Sequence, residues 1–307
     1  MAEADATAVA DIQEQIKGTQ RAMVEGLVEE AKKLGLNSSL IQCGGTETNE
    51  AFWRYLRQTD WNLENSLELI KAACEWHERN GSQLASLLQE TFSKQPGLFS
   101  LRQIGHDKQG RPVLFVCFAQ SSATVAEHTV DSVISFAQSV VENACRTNKQ
   151  EASGEEGKSC ILIVDCSGLQ PKAVLKPTML VKTHQTLTML YPNTIESILL
   201  FNYNQETRNT WKELKGYIDE GLASKVKFVA MQNVSPTLIT KFPADVGQWL
   251  REEIAANKSK PVPEEQVHFW QTHSPHDPRA APSYIADYID MKNADHKPHP
   301  GILYGGQ

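Results

Sequence analysis

Four continuous apolar runs in the middle of the chain constrain its fold most. They read PVLFVCFA, CILIVDC, SILLFNY and KVKFVAM, and stretches with helical spacing separate them at about residues 124–147, 173–190 and 206–220. Continuous rather than alternating apolarity is typical of a strand that is buried on both faces. The succession therefore predicts βαβ units, and with them an α/β fold around a largely parallel sheet.

The region before these runs is predicted to be helical. Residues 7–34 carry apolar side chains at helical spacing, and Gly35 follows as a stop. The segment NEAFWRYLRQTDWNLENSLELIKAACEWHERNG then predicts two further helices, the second ended by Gly81. An all-helical N-terminal module is expected ahead of the sheet.

Composition excludes several classes of protein. The chain has 307 residues and a formal net charge of -7, whereas nucleic-acid binding requires a basic surface that displaces counterions from phosphates. The first residues, MAEADATAVADIQEQ, do not resemble a secretory signal, and no apolar run approaches the ~20 residues of a spanning helix. We therefore expect a cytoplasmic protein that binds no nucleic acid.

The six cysteines are scattered along the chain, and no two have CxxC spacing. Several lie inside apolar runs, which is typical of buried free thiols in a reducing compartment. They are Cys43, Cys74, Cys117, Cys145, Cys160 and Cys166.

The segment ASGEEGKS, residues 152–159, matches a relaxed phosphate-loop pattern. Such a loop must follow a strand and open a helix, so that backbone N–H groups surround the phosphates. Here the loop precedes the strand CILIVDC, and Glu155 and Glu156 would repel phosphate. A surface loop is the preferred interpretation, and a nucleotide-dependent enzyme is the alternative.

The C-terminal region from about residue 257 is rich in proline and histidine. Five of the nine histidines lie there, but their spacings match no tetrahedral zinc site and no cysteine accompanies them. The patterns GxSxG, HExxH and GxGxxG are also missing. We therefore predict an irregular tail, no catalytic residue, no metal and no cofactor.

The segment GHDKQGRPV predicts a turn ahead of a strand, because Asp107, Lys108 and Gly110 favour turns. Arg111 could contact an anion there. A solvated arginine beside a turn is the preferred interpretation.

The segment QETRNTWKELKGYIDEGLASK carries one apolar stripe at helical spacing. Asn204 is the expected N-cap and Gly221 the expected stop. Periodicity alone favours a helix that packs on the core, and a gate over a ligand is the alternative. The stripe consists of Trp211, Leu214, Ile218 and Leu222.

Six pieces in this order resemble the CRAL-TRIO lipid-binding domain family: DKQGRPV, LIVDCSG, a helix ending in LYPN, ILLFN, TWKELKGYID and ASKVKF. That family includes phosphatidylinositol transfer proteins and carriers of tocopherol and retinaldehyde. The segment FWRYLRQTDWNLENSLELIKAACEWHERNG is similar to the family's N-terminal helical module. The resemblance implies four regions: an N-terminal helix and linker (1–47), the helical module (48–95), the lipid-binding domain (96–256) and a Pro/His-rich tail (257–307).

The resemblance also implies a function. A mixed, largely parallel sheet with flanking helices would enclose an apolar pocket, and the helix at about 206–222 would be a gate whose stripe faces acyl chains or the bilayer. The chain would bind a hydrophobic ligand, foremost a phospholipid, and transfer or present it at membrane surfaces without catalysis. Protein partners are a further expectation. A domain that has lost its pocket and serves as a protein-interaction scaffold is the second hypothesis.

The chain departs from the phosphoinositide-binding branch of the family at its head-group positions. Asn193 replaces an acidic residue after the Tyr-Pro pair, and Thr59 and Asp60 replace an Arg-Lys pair. A buried phosphate that lacks its charged partners is costly, so phosphatidylinositol itself is not assigned. The implied ligand-binding residues are Lys225, Asn193, Gln170, Lys172 and Tyr191. For Lys225, a place that merely flanks a strand is an equal alternative.

Overall fold

The structure is a computed structural model. It describes residues 2–43, 48–94, 100–121, 129–150, 158–169 and 177–267, with the side chains of 2–16, 82–94, 121, 177–180, 265 and 267 excepted.

A five-stranded mixed sheet forms the centre of the fold. The strands lie in chain order, β1 pairs antiparallel with β2, and the remaining neighbours pair in parallel. The predicted α/β class with a largely parallel sheet is therefore confirmed. The strands are β1 (Arg102–His106), β2 (Pro112–Cys117), β3 (Cys160–Asp165), β4 (Ile195–Phe201) and β5 (Val226–Phe228).

Three helices precede the sheet and confirm the helical N-terminal module. They are α1 (Ala2–Lys33), α2 (Thr48–Gln58) and α3 (Leu63–Lys94), and α1 packs on both others. Helix α1 ends before Gly35, whose φ of 68° is left-handed, as the sequence predicts. The predicted stop at Gly81 is wrong, because α3 continues to Lys94. One glycine costs a helix interior only about 1 kcal/mol, so a helix can continue through it.

The remaining helices flank the two sides of the sheet. Helices α5 and α6 lie on one side with the N-terminal module, and α9 and α10 lie on the other. These helices are α4 (Phe118–Ser121), α5 (Val130–Arg146), α6 (Pro177–Leu190), α7 (Gln205–Leu214), α8 (Glu220–Ser224), α9 (Val234–Lys241), α10 (Ala244–Asn257) and α11 (Glu264–Val267).

One face of the sheet is covered by helices over its central strands, and we call it the closed face. Alternate strand residues point to one face, and here Phe115, Ile163 and Phe201 are fully buried. Helices α9 and α10 cover them with an apolar layer that includes Leu238 and Leu250. This face is a dry core of the kind that stabilises a domain.

The opposite face is only partly covered, and we call it the open face. Leu114, Leu162 and Ile198 are register partners on adjacent strands and form a row across it. Leu114 is buried, but Leu162 and Ile198 are partly exposed. The same sheet therefore has one face that is packed tightly and one that has room beside it.

The predicted turn before β2 is present, but its arginine is not solvated. The Arg111 guanidinium donates to Asp107 Oδ2 from Nε over 2.8 Å and from Nη2 over 2.6 Å. Gly110 has a φ of 77°, and a Cβ there would lie 2.7 Å from the Lys149 backbone. Asp107 therefore holds Arg111 within the turn, which corrects both sequence interpretations of this arginine.

The prediction of six free thiols is wrong for two cysteines. Cys43 and Cys145 form a disulfide that links the segment before α2 to the end of α5, with their Cα atoms 5.9 Å apart. The residues are 102 positions apart in sequence, and neither flanking segment carries a spacing that would reveal the pair. Four cysteines are free and buried, as predicted: Cys74, Cys117, Cys160 and Cys166.

The chain still contacts the domain after α10. Gln266 in α11 is buried, and its Oε1 accepts a hydrogen bond of 2.9 Å from Gln120 Nε2. The five tail histidines lie outside the described residues. Residues 151–157, which include most of the segment ASGEEGKS, also lie outside them. Lys158 and Ser159 lead directly into β3, and the Lys158 backbone N–H donates to Glu50.

None of the helices in the described ranges combines the length and apolarity that a segment crossing a bilayer needs.

Candidate ligand-binding cavity

A cavity of about 390 Å³ lies against the open face. Residues of α5, α6 and the end of α2 line it, and so do residues of the segment 219–225. We call the side with the partly exposed side chains of His184 and Asp219 its mouth. The row of Leu114, Leu162 and Ile198 is its floor. Segments that are distant from one another in sequence therefore line one cavity.

The walls next to the floor are apolar. Covering such a wall with an apolar ligand is favourable by about 25 cal/mol of free energy for each Å² of apolar area removed from water. The apolar wall residues are Leu101, Ala137, Val141, Leu187, Tyr191, Ile195 and Leu222.

Charged and polar groups surround the rest of the cavity. Cations and anions are mixed, so the polar part as a whole suits neither a purely cationic nor a purely anionic molecule. These residues are Arg57, Gln58, Asp60, His184, Thr188, Asn193, Thr194, Asp219, Glu220 and Lys225.

The structure brings two of the sequence-predicted ligand residues together. Lys225 Nζ donates to Asn193 Oδ1 over 3.2 Å, and Asn193 Nδ2 donates to the Arg54 carbonyl oxygen over 3.4 Å. Asn193 has a φ of 51°, a left-handed conformation that asparagine tolerates better than most residues. The turn between α6 and β4 thereby points its amide at Lys225.

Burial lowers the pKa of Lys225 below its ordinary value. The positive charge of Arg57 acts in the same direction, while the carboxylates of Glu196 and Asp219 oppose it. An anion at this position would favour the charged ammonium, because opposite charges stabilise each other most where water is scarce. Lys225 is therefore suited to contact a phosphate or carboxylate.

His184 and Asp219 face each other across the mouth. His184 Nε2 lies 3.3 Å from Asp219 Oδ2, and His184 Nδ1 lies 3.3 Å from the Thr188 hydroxyl. Burial lowers the pKa of His184, and Asp219 opposes this shift. This contact joins α6 to the segment that begins α8.

Tyr191 lines the cavity, and its hydroxyl already has a partner within the protein. The hydroxyl donates to buried Glu142 on α5 over 2.9 Å. The other two predicted ligand residues, Gln170 and Lys172, lie outside the described residues.

The predicted continuous helix at about 206–222 is wrong. Helix α7 begins after Asn204, whose side chain caps it as predicted, and ends at Leu214. A 3₁₀ turn (Lys215–Tyr217) follows, Ile218 is extended, and Asp219 caps a new helix through the Leu222 N–H. Gly216 weakens the helix and Asp219 offers a strong start signal, so the chain restarts here. Gly221 lies inside α8 and is no stop.

This break divides the predicted gate stripe. Leu222 lines the cavity, whereas Trp211, Leu214 and Ile218 are partly exposed and are not among the lining residues. The gate role of the stripe stays a prediction.

Sequence reasoning missed the polar residues that α2 and α6 contribute. Arg57 was not singled out, and neither were His184 or Thr188. A signal existed for the last two: they are polar residues four positions apart in the helical segment PTMLVKTHQTLTML, which places them on one helix face.

Within the described part of the chain, no three His, Cys, Asp or Glu side chains come together as ligands of a metal ion would.

The model of the CRAL/TRIO domain family matches residues 97–247, which contain the sheet and most of the cavity. Residues 97–247 form a CRAL/TRIO domain. CRAL/TRIO domains bind hydrophobic small molecules and are not typically enzymes, so the family supports ligand binding in general for this chain.

Two curated relatives match part of this chain. Both are named Protein real-time, and they come from Aedes aegypti and Anopheles gambiae. They are 24% and 23% identical to this chain over 186 and 185 residues, which is 57% of this chain in each case. The match covers 28% and 26% of those proteins, so the chain corresponds to only about a quarter of their length.

The crystal structure of Sfh5 has a similar fold. It superposes with a TM-score of 0.52 at 11% sequence identity, and the match covers 71% of this chain and 80% of that chain. The two proteins therefore share a fold over most of this chain.

Proposed function

We propose that the protein binds an amphipathic lipid, a phospholipid or a relative of one, in the cavity and transfers or presents it at membrane surfaces. The observation that supports this most is the distribution of polarity around one space. Its floor and adjacent walls are apolar, and Lys225 with Asn193 stands at the polar side. An acyl chain fits the first region and a polar head group the second.

The head group would contact Lys225. Its ammonium uses one hydrogen on Asn193 and carries two more, and the guanidinium of Arg57 is close enough to lower its pKa. A phosphate near both cations would gain charge-assisted hydrogen bonds. Gln170 and Lys172 remain proposed contacts from the family resemblance.

The volume of the cavity bears on the size of the ligand. About 390 Å³ is near the lower end of the ~300–1,000 Å³ range of small-molecule sites. A two-chain phospholipid therefore requires the cavity to widen, and the segment of residues 205–224 is the part we propose to move. Its break at Ile218 gives it a hinge, and Trp211, Leu214 and Ile218 would turn toward acyl chains or the bilayer.

We place this exchange in the cytoplasm. The four buried free thiols support a reducing compartment, whereas the disulfide of Cys43 and Cys145 is of a kind that such compartments disfavour.

The test is native mass spectrometry of the purified protein, followed by organic extraction and identification of any lipid. We expect one lipid per chain. If no bound mass is found and the protein takes up nothing from mixed phosphatidylcholine and phosphatidylinositol vesicles, the carrier function fails, and the protein-interaction scaffold takes its place.

Substitution of two nearby lysines tests where the lipid binds. Lys225→Gln should reduce lipid uptake from the same vesicles, because it removes the charge beside the cavity. Lys227→Gln is the control, since Lys227 is exposed and does not line the cavity. Equal uptake by both variants would remove Lys225 from the proposed site.

A further inference from the structure

Thr194 lies in the turn between α6 and β4 and lines the cavity. Its backbone is already bonded on both sides: the N–H donates to the Tyr191 carbonyl oxygen over 3.4 Å, and the carbonyl oxygen accepts from the Cys160 N–H over 2.8 Å. The residue is 2% exposed. Its side chain is therefore shielded from bulk solvent.

The Thr194 hydroxyl has no hydrogen-bond partner among the described residues. A buried hydroxyl without a partner destabilises a protein, because its hydrogen bonds to water are lost without replacement. Valine has nearly the same shape and would avoid that cost. A hydroxyl at this place is thus a disadvantage to the protein alone, and it points to a partner that the protein itself does not supply.

The neighbouring polar side chains of this wall differ from Thr194 in having protein partners. Thr188 contacts His184, the Tyr191 hydroxyl donates to Glu142, and Asn193 bonds at both ends of its amide. Thr194 thus combines nine-tenths burial, a place on the cavity wall and an unused donor. Because the hydroxyl oxygen is itself buried, a ligand reaches it only when the cavity widens, as the proposed function requires.

We propose that the Thr194 hydroxyl donates a hydrogen bond to the ester carbonyl oxygen of a bound acyl lipid and so selects ester-linked lipids. This inference rests on the proposed function. In sequence, Thr194 lies between Asn193, a polar lining residue, and Ile195, an apolar one. An ester carbonyl has the same place in a lipid, between the head group and the acyl chain. When the acyl chain lies over the cavity floor and the head group lies near Lys225, the ester carbonyl lies beside Thr194.

Two probes that differ in one oxygen test the proposal. They are palmitoyl lysophosphatidylcholine and its hexadecyl ether analogue, which lacks the carbonyl. The protein should bind the ester more tightly by about threefold to tenfold, the range that one net hydrogen bond provides. Thr194→Val should lose that preference by weakening ester binding, and Thr194→Ser should keep it.

A second measurement separates ligand recognition from a structural role. Because the hydroxyl forms no hydrogen bond with a described protein group, ligand-free Thr194→Val should melt at the same temperature as the natural protein or higher. A lower melting temperature would show that the hydroxyl stabilises the fold, and it would overturn the proposal.

The remaining outcomes distinguish failure of this inference from failure of the proposed function. Equal binding of ester and ether by the natural protein overturns the inference and leaves the proposed function intact. The same holds if Thr194→Val retains the preference. If neither probe binds and no lipid co-purifies, the proposed function fails and this inference fails with it.

Discussion

Both faces of the sheet carry apolar side chains, but the layers that cover them differ. On the closed face, Phe115 and Ile163 are fully buried beneath α9 and α10. On the open face, Leu162 and Ile198 are partly exposed and form the floor of a cavity. Adjacent residues of one strand, Leu162 and Ile163, therefore have different tasks. The closed face stabilises the domain, and the open face leaves space that a ligand can fill.

Contacts between basic and acidic side chains differ between the faces in the same way. On the closed side, Arg102 Nη2 lies 3.1 Å from Glu253 Oε1, and both side chains are almost completely buried. The Arg102 guanidinium also lies over the rings of Phe115 and Trp249. On the open side, His184 and Asp219 are partly exposed at the cavity mouth. Burial makes the first pair much more sensitive to loss of one partner.

The largest expected effect comes from breaking the buried pair. Glu253→Gln should destabilise the protein by about 3 kcal/mol, because a buried Arg102 charge loses its counterion. Asp219→Asn is the matched amide substitution on the open side and should cost under about 1 kcal/mol, as partly exposed pairs do. Urea unfolding measures both. Similar losses of unfolding free energy in the two variants would mean that the closed and open sides do not differ in how strongly they bury these pairs.

A smaller contrast is expected between the two adjacent strand residues. Ile163→Ala should cost at least about 2 kcal/mol, because it leaves a hole in a close-packed layer, and Leu162→Ala should cost less, because space already exists beside it. Lipid uptake should respond in the opposite sense: Leu162→Ala alters it, and Ile163→Ala leaves it unchanged in protein that remains folded. If Leu162→Ala changes stability as much as Ile163→Ala, the open face is a core like the other.

The sequence predicts the sheet well and the cavity poorly, and the reason is physical. Continuous apolar runs reveal the strands, since strands buried between helix layers need apolar residues on both faces. They cannot reveal that one cover is incomplete, because a residue over a ligand space is as apolar as a core residue. Apolarity alone does not distinguish Leu162, which lies at the cavity floor, from Ile163, which lies in the core of the closed face.

Long-range pairings were beyond the sequence patterns for a different reason. The contact of His184 with Asp219 and the bond of Cys43 with Cys145 join segments that only the completed fold brings together. The break at Ile218 was readable locally, from Gly216 and from Asp219 as an N-cap, but the apolar stripe suggested one helix.

The smallest expected effect is a dependence of stability on pH from the open side. Burial lowers the pKa of His184 in the folded protein below its ordinary value of 6.5, and the facing carboxylate of Asp219 only opposes this. Between the folded pKa and 6.5 the unfolded chain binds more protons, so His184 reduces stability as pH falls through that window and has no effect above it. Burial lowers the pKa of His106 on β1 as well, so acidification should weaken the protein through both residues.

His184→Gln should therefore flatten part of the loss of stability on acidification from about pH 7 to about pH 5 and leave the part due to His106. Urea unfolding across this range measures the slope, and an NMR titration of the histidine ring protons reports the two pKa values separately. His106→Gln is the matched control. An unchanged slope in His184→Gln, together with an ordinary His184 pKa, would show that the mouth of the cavity is as open to water as the protein surface, and the open face would then be less enclosed than the geometry of α6 and α8 indicates.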